Sequence, residues 1–559
     1  MVRESRFLLL IFIALGGVFG QTPVTERKAP ANSVAIDDVT LIPGVKPGHS
    51  ILKVNTDYYD IIVDSTGGKI TSFIHKDAAH PGKKEIELVN KQPFQFNMYM
   101  TADSFLLLDR MDYKLEKKES GNKIEVIASA EMKAISGKVE IPVTVEKHYI
   151  FNKDGHYWQF KWGVFNKGNS PISFNDLYLL PITSIGPLPL SDSSTEVRGF
   201  LEFHYLDGSF TTKSTMHASG ISGFFCNSKE IESNQEYIQK KVDFMGMSSR
   251  FMLMVVQPMT TTKGLYDISN PETIELQIHM GSLNVKPKEK RYHEFLIYTG
   301  PKVNQYMSVD PEAKKRNPEL LNIHKDIYKA FDFGVTAPIR DLIVYFLQAL
   351  YKFIPNYGIV IILFSVLFKA IFYPLNQAQA NSMKKIQILQ PKLKEINEKY
   401  KNNPMEKQKK LMEVYKKNKA NPMGGCLPMV IQIPIFIALY SAFSDAYELW
   451  NSPFIAGWVD DLSRPDTVYT FSKAIPLIGG INLNILPLIM VGSQYFQTKI
   501  TVVTGDENQK KIMAFLPFLM LFFFWDMPSG VVLYWIMFNM LSILQQVVTN
   551  MRKEDSVVN

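Results

Sequence analysis

The sequence predicts a polytopic α-helical membrane protein that carries one large all-β domain on a single side of the bilayer. Three observations lead there. Residues 40 to 300 alternate apolar and polar side chains with a period of two, the mark of half-buried strands. From residue 357 onward, five apolar stretches follow one another, most of them close to the length that crosses a hydrocarbon core. Positive charge is concentrated in the loops on one side of those stretches. Over 559 residues the chain is 46% hydrophobic with a net charge of +7, averages an ordinary soluble protein can share, so the pattern along the chain decides the class. Cys226 and Cys426 are the only cysteines, which excludes a disulfide framework and a cysteine-only metal site.

Residues 1–24 begin with Arg3 and Arg6 ahead of an apolar run from Phe7 to Phe19. Such a run is shorter than the ~17–25 residues of a spanning helix. It reads either as a signal peptide, with small Val18 and Gly20 near its end, or as a short retained anchor that would be the first of six spans. Both readings carry the following chain across the membrane and leave the arginines inside. Residues 25–39 form a polar, proline-containing linker. The β domain is expected over 40–330, with a Gly67-Gly68 turn between its early strands and long strands in "VEIPVTVEKHYIF", "YWQFKWGVFN" and "RYHEFLIYTGP". Its last part, about 300–330, is charged and expected to be helical.

Over 331–356, Val335, Ile339, Leu342, Phe346, Leu350 and Phe353 recur on one helical face, with Arg340, Asp341, Gln348 and Lys352 elsewhere. That pattern predicts a helix lying in the membrane interface. The five spans are expected at about 357–375, 426–444, 474–496, 512–526 and 528–548, with Asp526 to Gly530 as a tight hairpin between the last two. Residues 376–422 hold 12 lysines and 4 glutamates, a net of +8, so all other residues together carry −1. The loop at 445–473 has two basic residues, Arg464 and Lys473, against five acids. The N-terminus, 376–422, 497–511 and the tail 549–559 are therefore expected in the cytoplasm, and 25–356 and 445–473 outside.

Within 376–422, Ile386, Leu389, Leu393, Ile396 and Tyr400 step as a coiled-coil seam, and Asn402-Asn403-Pro404 breaks the helix. Leu411, Met412 and Tyr415 offer a second apolar face, so an antiparallel hairpin is expected, coated by Lys384, Lys385, Lys392, Lys394, Lys409 and Lys410. Its charge is either a solvated topology determinant or a docking surface for ribosomal RNA or acidic lipid.

Lys369 lies inside the first of the five spans. An ammonium within a bilayer costs on the order of 3 kcal/mol, so it either snorkels to the interface or faces water or protein. Ser365, one turn earlier, favours a wet cavity, which Gln432, Asn482, Asn484, Gln494 and Asn539 from other spans would help to line. No intramembrane Asp or Glu accompanies the lysine, which speaks against a proton relay.

The strings "FYPLNQAQANSMKKIQILQPKLKEI", "NPMGGCLPMVIQIPIFIALY" and "FFWDMPSGVVLYWIMFN" resemble the YidC-type membrane protein insertases, in order over about 355–548. The resemblance implies a Gram-negative form, in which the β domain is a periplasmic supersandwich similar to sugar-mutarotase folds. It also implies a five-span core enclosing a hydrophilic groove. Carried over by those strings, Lys369 supplies the groove charge, where the family usually has arginine. Ser365, Phe436, Tyr534 and Trp535 line the groove, and Cys426, Leu427, Pro428 and Pro434 lie on the span along which clients slide. The expected partners are nascent membrane proteins, the ribosome, the Sec translocon and membrane lipid. The resemblance implies an inner-membrane protein that is not an enzyme and takes no nucleotide, metal or other cofactor. No specific nucleic-acid target and no small-molecule substrate are expected. The rival functions are a small-solute secondary transporter, which would need paired charges and an internal repeat, and an anchored envelope enzyme acting on carbohydrate.

Overall fold

A computed structural model describes residues 40–43, 48–77, 85–89, 93–99, 108–136, 139–181, 185–186, 202–206, 210–214, 236–260, 262–270, 273–307, 320, 323–324, 336–400, 403–418, 427–471, 482–500 and 507–558. The anchor or signal at 1–24 and the linker at 25–39 lie outside these. Among the described residues, the strands between Thr40 and Pro301 form antiparallel sheets of ten, five and four strands. In the largest, Val139–Asn152 lies between Lys123–Ser136 and Tyr157–Asn166, and the last of these pairs with Lys290–Pro301. The β-rich domain expected from the alternation is present.

Strict alternation fails at Met252–Pro258 and its neighbours Phe244–Ser248 and the end of Lys290–Pro301, for a physical reason. Met252–Pro258 is buried along its whole length because both faces of the sheet are covered there. Met252, Met254 and Val256 face the main core, while Leu253 and Val255 face a second cluster with Tyr157, Tyr298, Met307 and Leu320. The short helix α1, Asn304–Met307, supplies part of that second cover. Of the helical character expected over 300–330, only this turn falls clearly among the described residues.

Trp158 anchors the main core, with ring centroids 5.2 Å from both Phe96 and Phe151, and its indole N–H donates to Thr299 Oγ1 at 3.0 Å. The expected Gly67-Gly68 turn is there, with φ of 71° and 54°, values that side-chain-bearing residues rarely adopt. Its carbonyls are taken up by Val139–Asn152: Lys147 Nζ donates to Gly67 O at 2.6 Å, and Tyr149 Oη donates to Gly68 O at 2.6 Å. The turn is thus tied to the central sheet rather than left at the surface.

The helical part begins with α2, Ala337–Tyr351, followed by α3, Tyr357–Ile371, and α4, Tyr373–Lys399. Then come α5, Pro404–Lys417; α6, Leu427–Asp445; α7, Ile485–Ile500; α8, Glu507–Phe524; and α9, Ser529–Val558. By length and apolarity Ser529–Val547 can cross a membrane, and Tyr357–Ile371, Ile433–Asp445 and Phe515–Phe524 are shorter apolar helices. Several expected boundaries move. In the third apolar stretch Asn482–Asn484 is a strand and the helix after it starts at Ile485, and α9 runs on through the expected tail to Val558.

On α2, Ile339, Leu342, Phe346 and Phe353 just beyond it are exposed as an apolar face should be at an interface, but Ile343 and Leu347 pack into the bundle. Arg340, read as part of the polar face, is instead buried and bonds Asp341 at 2.8 Å. The hairpin forms as expected, with Asn403 capping α5 at Glu406 N. Leu389 and Leu393 meet Leu411, Val414 and Tyr415, so Val414 takes the inward position read for Met412, which is exposed.

One charged cluster on the β domain titrates in the accessible range. Glu146 accepts from Lys290 at 2.8 Å, Tyr292 at 2.5 Å and His148 at 3.2 Å, and His148 also bonds Glu125 at 2.7 Å. Desolvation alone would raise the Glu146 carboxyl, but these three donors hold it down to about 2. Desolvation would lower His148, yet its two carboxylate partners raise it above its ordinary value. The Glu146 contribution is therefore full above ~4.3, its unfolded value, and is lost as pH falls toward the folded one. The His148 contribution is full below ~6.5 and is lost as pH rises through its raised value. Thermal unfolding of the full chain between pH 7 and pH 3 should show an acid limb that Glu146→Ala flattens, at a cost of about 2–3 kcal/mol at neutral pH.

Candidate functional site

The helices pack tightly at the end nearest the β domain and loosely at the other. In α3 the buried positions run from Tyr357 to Ser365, and among the described side chains of α6 they begin at Ala438. In α7 they are Leu486, Pro487 and Met490 near its start, and in α9 burial is dense from Ser529 to Ile536. Helices α3, α7 and α9 run away from that end and α6 runs toward it, so the four gradients coincide at one closed end. Gly358 sits there because Phe454 lies against it, and a Cβ would collide with that ring.

The closed end is sealed by the segment Asp445–Thr470. Asp466 accepts from the N–H groups of Ile485 at 2.9 Å and Leu486 at 2.7 Å, and from the Trp458 indole at 3.1 Å, which fixes the start of α7. At the start of α9, Ser529 N donates to Arg464 O at 2.7 Å and Gly530 N donates to Leu462 O at 2.9 Å. Asn482 and Asn484, expected to line a cavity, belong instead to a short strand pairing with Thr467–Thr470. Asn484 donates to Trp525 O at 2.5 Å, and Asn482 accepts from Thr470 at 2.8 Å. The polar side chains face the seal because three residues of strand precede α7 there. The β domain rests on the same segment: Phe251 stacks on Trp450 at 4.8 Å, and Arg250 donates to Ser463 O at 2.8 Å.

At the loose end, Lys369 lies in the last turn of α3. Its ammonium donates to Ser542 Oγ at 2.7 Å and lies 4.3 Å from the centre of the Phe538 ring, both on α9. On the neighbouring face of α9, Trp535 Nε1 donates to Gln494 Oε1 at 3.2 Å and Asn539 Nδ2 donates to Ser493 Oγ at 3.0 Å. Phe436 of α6 meets Trp535 edge to face at 5.5 Å. The structure therefore pairs Lys369 with Ser542 and Phe538, and separately joins Trp535 to both Phe436 and Gln494, and Asn539 to Ser493; the sequence reading missed Ser493 and Ser542. The signal for Ser542 was its spacing of four from Phe538 and three from Asn539 on one helix.

Other expected residues fall differently. Ser365 is fully buried and donates to Ile361 O at 2.7 Å, one turn back in its own helix, so it does not extend a wet stripe. Tyr534 is buried between Phe364, Phe368 and Phe443 and belongs to the packed half. Pro434 is exposed inside α6. Leu427, Pro428 and Gln432 are in the same helix with side chains outside the described set, and Cys426 lies outside the described residues. Lys392, Lys394 and Lys409 are exposed on the hairpin, Lys410 pairs with Glu413 at 2.9 Å, and Lys384 and Lys385 are in α4 with undescribed side chains. Among the described residues no group of three or more His, Cys, Asp or Glu side chains is arranged to hold a metal.

An apolar helix bundle, closed at one end, carrying a β-rich domain on its seal and including one helix, Ser529–Val547, long and apolar enough to cross a membrane, is consistent with the class of integral membrane proteins. Residues 349–556 match the family described as "60Kd inner membrane protein". The membrane protein insertase YidC of Leptospira interrogans is 38% identical over 89% of this chain and 85% of its own length. The YidC insertase of Chlorobaculum tepidum is 28% identical over 95% of this chain and 88% of its own length. A solved active YidC insertase aligns with 92% of this chain and 95% of its own at 17% identity, with a TM-score of 0.36, too low for a comparison of geometry. The chain belongs to the YidC membrane protein insertase family, whose members are inner membrane proteins.

Removing the Asp466 carboxylate leaves two helix-end N–H groups and an indole N–H without their acceptor. Asp466→Ala should lower the stability of the detergent-solubilised protein by about 1–3 kcal/mol, read as an earlier thermal transition in tryptophan fluorescence.

Proposed function

We propose that this protein inserts membrane proteins into the bilayer by taking a client's polar tail into the loose end of the bundle while its apolar segment passes into lipid. The single observation that carries the reading is Lys369: a cation fixed at the open end of a bundle whose opposite end is sealed. A polar tail entering there meets a positive charge and the polar side chains of Ser493, Gln494 and Asn539. The apolar span then leaves water at ~25 cal/mol per Å² of buried surface, so insertion runs downhill and the protein lowers its barrier. Energy from nucleotide hydrolysis is not required for a short tail.

In this reading the chain crosses the inner membrane six times, with residues 1–24 as the first span and the β domain in the periplasm. The lysine hairpin faces the cytoplasm, where its +8 suits the ribosome or anionic headgroups. Ser365 and Tyr534 act as packing at the floor of the groove, and Lys369, Gln432, Phe436 and Trp535 meet the client. Cys426, Leu427, Pro428 and Pro434 form the surface along which it slides. The exposed phenylalanines of α8, Phe515, Phe518 and Phe522, suit lipid or an apolar client segment. The Sec translocon is a partner for clients with large exported domains.

Photo-crosslinkers placed at Lys369, Phe436 and Trp535 should capture nascent membrane-protein chains during translation. Capture of lipid alone at all three positions would sink the groove. Deleting residues 45–300 should leave most insertion activity in reconstituted vesicles, and loss of activity with the bundle still folded would instead favour a function seated in the β domain.

A further inference from the structure

The charge at position 369 is carried on a long, flexible stem in the last turn of a short apolar helix. Left to itself, such an ammonium swings along the helix toward the nearest water and takes the charge out of the bundle. Two side chains of α9 oppose that swing. Ser542 Oγ accepts from Lys369 Nζ at 2.7 Å, and its own proton is committed to Phe538 O at 2.7 Å. The serine hydroxyl is thereby turned so that its lone pairs face the ammonium. The Phe538 ring, one turn earlier on the same face of α9, presents its π face to the same nitrogen at 4.3 Å.

We infer that Ser542 and Phe538 are positioning residues that fix the depth of the Lys369 charge, and so set how strongly the protein favours clients with acidic tails. An ammonium has three N–H donors. One is held by Ser542 and the ring covers a second direction, so donor capacity remains for a carboxylate arriving from the open end. A guanidinium, planar and with five donors, can bridge to several acceptors and needs less of this help. Lysine needs a fixed acceptor, and this chain supplies one. The inference rests on the groove reading above, and the test separates the two.

The full-length protein in proteoliposomes is given two versions of one single-span client, identical except that the acidic residues of the translocated tail are replaced by their amides. The readout is the ratio of acidic to amide insertion. Lys369→Met should bring that ratio to about one. Ser542→Ala should lower it about 3- to 10-fold, the loss expected for one ordinary hydrogen bond, and Phe538→Leu should lower it in the same direction. Ser542→Thr, which keeps the hydroxyl, should restore it, and Ser542→Ala should have no further effect in the Lys369→Met background. If Lys369→Met leaves the ratio intact, the groove reading and the inference fall together. If Lys369→Met collapses it while Ser542→Ala does not, the groove stands and the positioning role is overturned. Equal loss of both clients in Ser542→Ala, or failure of Ser542→Thr to restore the ratio, also overturns it by reducing the serine to ordinary packing.

Discussion

An apolar helix bundle cannot leave polar groups without partners, and most of the specific contacts in this protein answer that constraint. At the sealed end the groups at stake are backbone N–H donors at helix starts. Asp466 takes those of α7, and the carbonyls of Arg464 and Leu462 take those of α9. At the open end the group at stake is an ammonium, and Ser542 with the Phe538 ring takes it. Between the two ends, Asn539 and Trp535 find Ser493 and Gln494 across the α7–α9 contact. These interhelix pairs therefore also fix the register of one helix against another.

The β domain enters the same scheme through the seal. Tyr447 and Trp450, in the turn after α6, are buried as part of the β domain's own core, and Arg250 reaches back to Ser463. The two folding units share side chains rather than merely touching. Mutual burial of Trp450 and Phe251 links the stability of the outer segment to that of the domain above it.

Much of this was legible in the sequence because it depends on local patterns. Period-2 alternation announced the β domain, a paired glycine its turn, and Asn403-Pro404 the start of α5. What escaped depends on contacts between distant segments. Asn482 and Asn484 look like span residues because apolar neighbours surround them, and only their pairing with Thr467 and Thr470 takes them to the seal. Ser365 looks like part of a polar stripe, but its hydroxyl is spent on its own helix. Ser542 looks unremarkable until α3 and α9 are side by side. The inward burial of Arg340 was equally invisible, since helical periodicity assigns a face without saying what will cover the opposite one.

The length of α9 has a mechanical meaning. Its 30 residues make a rod of ~45 Å at 1.5 Å per residue, longer than the ~30 Å hydrocarbon core. The first turns are clamped at the seal, and the last turns stand clear of any hydrocarbon the first nineteen residues, Ser529–Val547, can fill. Trp535, Asn539 and Ser542 lie between those limits, so a load applied to the terminal turns is carried along α9 to these residues. Whatever grips the terminal turns holds a handle on the contacts that Trp535, Asn539 and Ser542 make with α7 and α3.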